Sequence, residues 1–125
     1  MMYLNKPVYY LTDGDVDSSG NLINPDIPKD IPVFLMLQAG FCGHCTVAKP
    51  AYQEFANKNE GKVFVTTVQA DGKESGEKEL AKRLGSLIPN FRGYPHYAVY
   101  KNGKFLKNWE EGRSLDSLEK CLAEL

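Results

Sequence analysis

Runs of consecutive apolar residues predict the central strands of a sheet. Five apolar residues follow one another from Val33 to Leu37, and an uninterrupted run of this kind is typical of a strand buried on both faces. We predict this strand over Val33–Gln38. The β-branched segment Val63–Val68 predicts a second buried strand, and Val8–Leu11 predicts a short first strand.

Helices are indicated where apolar positions recur at helical spacing. The segment from Gly43 to about Asn59 predicts a long helix, which Pro50 should kink because proline donates no backbone hydrogen bond. Apolar residues at positions 80, 81 and 84 predict a short helix over Glu77–Leu84. Ser114 is a suitable N-cap for a final helix. The apolar face of that helix consists of Leu115, Leu118, Leu122 and Leu125.

A hairpin and a long polar loop complete the predicted fold. Asn102-Gly103 separates Tyr97–Tyr100 from Lys104–Trp109 and is a strong signal for a two-residue hairpin turn. Residues 12–32 are rich in Asp, Asn, Ser, Gly and Pro, which predicts a loop. The order of elements predicts an α/β fold with a mixed sheet of about four to five strands and helices on both faces. We expect one domain over 1–125, with an irregular N-terminal strand and loop in 1–32.

Composition and charge exclude several classes of partner. Fifteen basic and sixteen acidic residues give a net charge of −1, so no basic surplus indicates binding to nucleic acid or to an anionic membrane. The first residues lack the apolar core of a signal peptide, and no stretch approaches the roughly 20 apolar residues of a membrane helix. We expect a monomer in the cytoplasm or another soluble intracellular compartment.

Cys42 and Cys45 bracket Gly43 and His44 at the predicted junction between the central strand and the long helix. Two thiols three positions apart at the first turn of a helix can close a disulfide. The free N–H groups and positive dipole end of the helix stabilise the Cys42 thiolate, which makes Cys42 the nucleophile. A free cysteine has a pKa of about 8.5, and values of roughly 3.5–7.5 occur in such motifs. Cys45 would resolve the mixed disulfide. The sequence therefore predicts a redox-active pair.

Together with three further motifs, this pair resembles the thioredoxin family, and in particular the catalytic domains of protein disulfide isomerases. The further motifs are Pro50 five residues after the second cysteine, Gly93-Tyr94-Pro95, and Trp109-Glu110-Glu111-Gly112-Arg113. The resemblance covers residues 33–125. It implies a thioredoxin fold in which Pro95 is cis and lies opposite the dithiol, and in which Arg113 favours the thiolate of Cys45.

The chain departs from the family pattern at positions that bear on the mechanism. Met36 stands where the family has a buried acid on the central strand, and Thr67 where it has a lysine. The group that takes the proton from Cys45 is therefore not identified. Phe41 replaces the tryptophan before the first cysteine, and His96 replaces the threonine that often follows the cis-proline.

The resemblance implies a thiol–disulfide oxidoreductase that acts on protein disulfides, with no cofactor beyond the redox-active disulfide of Cys42 and Cys45. Its partners would be proteins with thiols or disulfides, and a reductase or oxidase that recycles the dithiol. His44 would make the disulfide more oxidising. The residues assigned to catalysis are Cys42, Gly43, His44, Cys45 and Arg113. The residues assigned to substrate binding are Phe41, Tyr94, Pro95 and His96.

Several interpretations stay open beside this one. The direction of exchange is unsettled, because the CGHC motif favours an oxidising poise whereas the absent signal peptide favours a reducing compartment. An adaptor with weak redox activity is the alternative function. Zinc would need four ligands, and only three Cys or His side chains remain besides the dithiol, so no metal is assigned.

Two features outside the dithiol also have a default interpretation. Cys121, on the apolar side of the last helix, is predicted to be a small buried hydrophobe. Residues 15–26 match a calcium-loop pattern, but Pro25 lies inside it and Asp26 replaces the usual Glu. A polar turn is therefore the default interpretation of that segment.

Overall fold

A five-stranded sheet lies at the centre of the fold. The computed structural model describes residues 3–125. Within that range, every helix falls short of the length or the apolar content that a membrane crossing requires. In chain order the elements are β1 (Tyr9–Tyr10), β2 (Val33–Gln38), α1 (Gly43–Lys58), β3 (Phe64–Gln69), α2 (Glu77–Leu87), β4 (His96–Lys101), β5 (Lys104–Trp109) and α3 (Leu115–Ala123).

The strands lie in the order β1-β3-β2-β4-β5, which makes β2 the central strand. β3 pairs in parallel with both β1 and β2, whereas β4 pairs antiparallel with β2 and with β5. Every residue of β2 is buried, which accounts for its unbroken apolar run. The predicted mixed sheet is confirmed.

Alternate residues of β2 face two different layers. Phe34 and Met36 belong to an apolar cluster that includes the inner sides of α1 and α3, whereas Leu35 and Leu37 belong to a cluster with α2. The prediction of helices on both faces of the sheet is therefore confirmed. Cys121 is fully buried in the first cluster, as predicted.

The ends of the helices differ in part from the predictions. Ser114 is the N-cap of α3, and its hydroxyl accepts a hydrogen bond from the Ser117 N–H at 3.1 Å, as predicted. α2 continues to Leu87, beyond the predicted end at Leu84. The prediction that Leu125 belongs to the apolar face of α3 is wrong, because the helix ends at Ala123 and Leu125 is 43% exposed.

The N-terminal region is irregular, as predicted, but it is firmly attached to the rest. β1 has two residues, shorter than the predicted Val8–Leu11, and the loop begins with a 3-10 turn at Asp13–Asp15. Arg83 of α2 donates hydrogen bonds to the Asp13 carboxylate and to three loop carbonyl groups. The Leu22 N–H also donates to the carbonyl of Gly103 in the hairpin turn, at 2.8 Å. The loop is thus attached to both α2 and the hairpin.

The acidic side chains of the calcium-like segment are used in hydrogen bonds within the loop. The Asp15 carboxylate accepts from the Thr12 N–H at 2.9 Å and from the Asn24 amide at 2.7 Å. The Asp17 carboxylate accepts from two backbone N–H groups of its own turn, each at 2.9 Å. Within residues 3–125, no three Cys, His, Asp or Glu side chains are grouped as metal ligands would be. The segment has the hydrogen bonding of a polar turn.

Candidate active site

The two thiols lie where the central strand passes into α1. Cys42 is the N-cap of the helix, and its Sγ accepts a hydrogen bond from the Cys45 N–H at 3.3 Å. Cys42 is partly exposed, whereas Cys45 is fully buried. Both are free thiols in this structure, which represents the dithiol form. A substrate sulfur could therefore reach Cys42 first.

The two thiols have opposite pKa shifts. Burial raises the pKa of Cys42, but hydrogen bonds from the Cys45 thiol and from the N–H groups of Cys45 and His44, together with the charge of Arg113, outweigh it and lower the pKa. Burial raises the pKa of Cys45 to about 12, and the hydrogen bond that its thiol gives to Cys42 acts in the same direction. At neutral pH, Cys45 is protonated and Cys42 is the more acidic thiol.

The predicted cis-proline lies opposite the dithiol. The Tyr94–Pro95 bond is cis, and the Cys42 thiol donates to the Tyr94 carbonyl oxygen at 3.5 Å. Phe41 is 75% exposed, and its ring meets the Tyr94 ring edge-on with centroids 6.5 Å apart. The Tyr94 carbonyl thus lies beside Cys42, and the exposed Phe41 ring packs against the Tyr94 ring. That Phe41, Tyr94 and Pro95 bind substrate stays a prediction.

An open cavity of about 360 Å³ extends from the cis-proline loop toward the end of β5. Its lining includes Pro95, Trp109 and Arg113. Arg113 is exposed, and its positive charge lowers the pKa of Cys42. We expected this arginine to act on Cys45, so its effect on the nucleophilic thiol is an addition to the predicted site.

The two histidines occupy different environments. His44 is exposed in the first turn of α1, between the thiols. His96 is 7% exposed, and its Nε2 lies 2.8 Å from the Asn108 side-chain oxygen. Little of the His96 side chain is therefore accessible, because the alternation of β4 places it on the same face as Ala98, toward α2. His96 still borders the cavity, and its role in substrate binding stays a prediction.

The departures from the family pattern lie side by side on two neighbouring strands. Met36 and Thr67 are paired neighbours in β2 and β3, and both are fully buried. The Thr67 hydroxyl donates to the Met36 carbonyl at 2.8 Å. The space that would hold a buried acid and its lysine is thus occupied by an apolar and a small polar side chain.

Two charged residues near the thiols were not identified from the sequence. Lys49 of α1 is 1% exposed, although a lysine on a helix is usually exposed to solvent. Asp71 follows β3, and its carboxylate accepts a hydrogen bond from the Gly40 N–H at 2.8 Å, just before the dithiol. The only sequence signal for Lys49 is its position four residues after Cys45, on the same side of the helix.

Comparison with known proteins gives a family and several relatives. The model of the thioredoxin family matches residues 21–124. A thioredoxin-like protein of Invertebrate iridescent virus 6 is 45% identical over 117 residues, which cover 85% of this chain and 84% of that protein. A protein disulfide-isomerase of Schizosaccharomyces pombe is 32% identical over 100 residues, or 80% of this chain, and one of Neurospora crassa is 34% identical over 98 residues, or 74%. The chain spans only 19% and 24% of these two isomerases.

Proposed function

This chain belongs to the thioredoxin family, and from that membership we propose that it catalyses thiol–disulfide exchange on protein substrates through Cys42 and Cys45. The observation that supports the proposal best is the division between the two thiols. Cys42 is partly exposed with a lowered pKa, and Cys45 is buried with a raised one. One thiol is suited to attack and the other to resolution.

The reaction has two exchange steps. The Cys42 thiolate attacks one sulfur of a substrate disulfide, and the other substrate sulfur leaves with the electron pair and takes up a proton. Cys45 then loses its proton and attacks the Cys42 sulfur, which releases the second substrate thiol. The substrate is reduced by two electrons, and the two cysteines are oxidised to a disulfide. The same steps in reverse would oxidise a substrate dithiol.

The surroundings of Cys42 support a protein substrate. The Tyr94 carbonyl lies within 3.5 Å of Cys42 and can accept a hydrogen bond from an extended peptide beside the thiol. The exposed Phe41 ring adds apolar contact area, as sites for flexible segments require. The open cavity lined by Tyr94, Pro95 and Arg113 leaves room for a substrate chain beside the cis-proline loop.

We further propose an oxidising poise for the dithiol, because His44 lies between the cysteines and an imidazole favours the reduced thiolate form. Reference potentials are about −270 mV for thioredoxin and about −180 mV for protein disulfide isomerase. Equilibration with glutathione buffers should give a potential above the thioredoxin value. A value at or below about −270 mV would contradict this part of the proposal.

Insulin reduction in the presence of dithiothreitol tests the activity itself. The wild type should accelerate the reaction, and Cys42→Ser should abolish the acceleration. Cys121→Ala is the matched control, because it removes the third cysteine, which is buried in α3 and is no part of the dithiol motif. A wild-type chain without activity would overturn the proposal and favour an adaptor that binds its partners without exchange.

A further inference from the structure

Lys49 is a buried lysine one helical turn beyond Cys45. Only 1% of its surface is exposed. Residues four apart in a helix are neighbours on the same face, so the side chains of Cys45 and Lys49 lie together. Removing an ammonium group from water is costly unless other charges compensate it. A role for Lys49 in the environment of the dithiol would account for its position.

Asp71 supplies one compensating charge. It follows β3, at the same end of the sheet as the start of α1, and its carboxylate accepts from the Gly40 N–H at 2.8 Å. Burial lowers the pKa of Lys49, whereas the thiolate of Cys45 and the carboxylate of Asp71 act to raise it. Lys49, Asp71 and the two thiols therefore form one electrostatically linked cluster.

The resolving step is the one that this cluster would assist. Cys45 must become a thiolate to attack Cys42, but burial raises its pKa to about 12. Met36, which is fully buried in the apolar core, stands where the family pattern has a buried acid. The positive charge of Lys49 acts in the opposite direction and lowers the pKa of Cys45.

We propose that Lys49 promotes the resolving step: its ammonium group stabilises the Cys45 thiolate during the attack on Cys42, and Asp71 keeps Lys49 charged. This inference rests on the proposed exchange reaction. Lys49 acts on the reaction through Cys45 and is therefore a positioning residue. It differs from the acid and lysine of the family pattern, because it lies on α1 and not on the strands.

The step balances without proton transfer to or from Lys49. The Cys45 proton passes to water, and the Cys45 sulfur forms a bond to the Cys42 sulfur. The bond between Cys42 and the substrate sulfur breaks, and the substrate sulfur leaves with the electron pair. It then takes up a proton from water. Lys49 is charged before and after the step.

The two exchange steps can be timed separately with 5,5′-dithiobis(2-nitrobenzoate). The reduced protein is mixed with one equivalent, and thionitrobenzoate release is followed by its absorbance in a stopped-flow instrument. The first equivalent of thionitrobenzoate reports attack by Cys42. The second reports attack by Cys45 on the mixed disulfide, which is the resolving step.

We expect Lys49→Met to slow the second release about tenfold at pH 7 and to change the first less than about threefold. A tenfold loss corresponds to a shift of the second-release pH profile by about one unit toward higher pH. Lys49→Arg, which keeps the charge, should recover at least part of the rate. Lys58→Met is the matched control, because it removes an exposed lysine from the other end of α1. An unchanged second release in Lys49→Met would overturn the inference.

Asp71→Asn is a second test that does not alter the buried core. Asp71 is half-buried on a loop, and asparagine keeps an oxygen for the Gly40 N–H. Loss of the Asp71 charge lowers the pKa of Lys49, so Lys49 loses its proton at a lower pH. The rate of the second thionitrobenzoate release should therefore stop rising with pH at a lower pH than in the wild type. Other titratable or charged groups that face the cluster include Glu77, Tyr94, Tyr97 and Arg113. An unchanged profile would contradict the proposal, even if Lys49→Met does not fold.

The same experiment separates this inference from the proposed function. Wild-type protein that releases a single equivalent would show that Cys45 does not resolve the mixed disulfide, and the exchange mechanism itself would fail. Release of two equivalents with no effect of Lys49 or Asp71 substitutions would leave the exchange mechanism intact and overturn only the role of Lys49.

Discussion

The opposite pKa shifts of the two active-site thiols predict a large difference in their alkylation rates. With a pKa of about 12, Cys45 is a thiolate in about one molecule in ten thousand at pH 8. The pKa of Cys42 is lowered from the ordinary value of 9.0, so about a tenth or more of Cys42 is thiolate at this pH. The ratio of thiolate populations is therefore about nine hundred or more.

Intrinsic nucleophilicity offsets part of this ratio. A thiolate of higher pKa is the stronger nucleophile, with a Brønsted coefficient of about 0.4–0.5, and a difference of about 3 units therefore favours the Cys45 thiolate by roughly 20-fold. Cys42 should still react about 40-fold faster at pH 8. Burial of Cys45 adds a steric barrier that increases the difference further.

Iodoacetamide labelling followed by fragment-ion mass spectrometry measures both rates, because the two thiols lie on one tryptic peptide. The reduced protein should be labelled at Cys42 within the time in which Cys45 remains unmodified. In urea the thiols should react at similar rates, which controls for local sequence effects. In Cys42→Ser the labelling of Cys45 should remain slow, since burial is the largest cause of the raised pKa of Cys45. Labelling of Cys45 within threefold of the Cys42 rate would refute the assignment of roles.

Three further predictions concern the stability of the fold. Tyr52→Phe removes the hydrogen bond from the buried Tyr52 hydroxyl to the Thr66 carbonyl, 2.7 Å long, and should lower the free energy of unfolding by about 1–3 kcal/mol in urea titrations; no loss would contradict it. Arg83→Lys keeps the positive charge but loses most of the hydrogen bonds from Arg83 to the loop, so proteases should cleave within residues 12–32 faster than in the control variant Lys82→Arg. Equal cleavage of the two variants would contradict this prediction. Burial raises the pKa of Cys121 to about 11 in the folded protein. Between about pH 8.5 and 11 the Cys121 thiol therefore ionises in the unfolded chain but not in the folded protein, and the free energy of unfolding falls by up to about 1.4 kcal/mol per pH unit. Unfolding of the reduced protein should therefore depend less on pH in Cys121→Ala, and parallel curves would refute this.

Features encoded by neighbouring residues were predictable from the sequence. β2 has the predicted bounds because a strand buried on both faces needs an unbroken apolar run. The Ser114 cap and the dithiol at the start of α1 follow from side chains that act on the backbone within three residues. The catalytic roles of Cys42 and Cys45 stay predictions, which the alkylation experiment tests.

Features that depend on distant elements were not predictable in the same way. His96 is buried because the strand alternation places it beside Asn108 of β5, and no property of the residue itself indicates this. Lys49 is buried although its neighbours along α1 include exposed residues. Its environment depends on the position of Asp71, which is set only when β3 pairs with β2. Tertiary packing therefore decided both positions.

The attachment of the 12–32 loop has a consequence for the order of assembly during synthesis. The groups that fix this loop are Arg83 and the carbonyl of Gly103, which lie in α2 and in the β4–β5 hairpin. The ribosome releases the loop well before either of them. The loop must therefore wait, without its hydrogen bonds to α2 and to the hairpin, until most of the domain has emerged. The hydrogen bonds of the Asp15 and Asp17 carboxylates lie within the loop and can form before then, so they can hold its turns until α2 and the hairpin arrive.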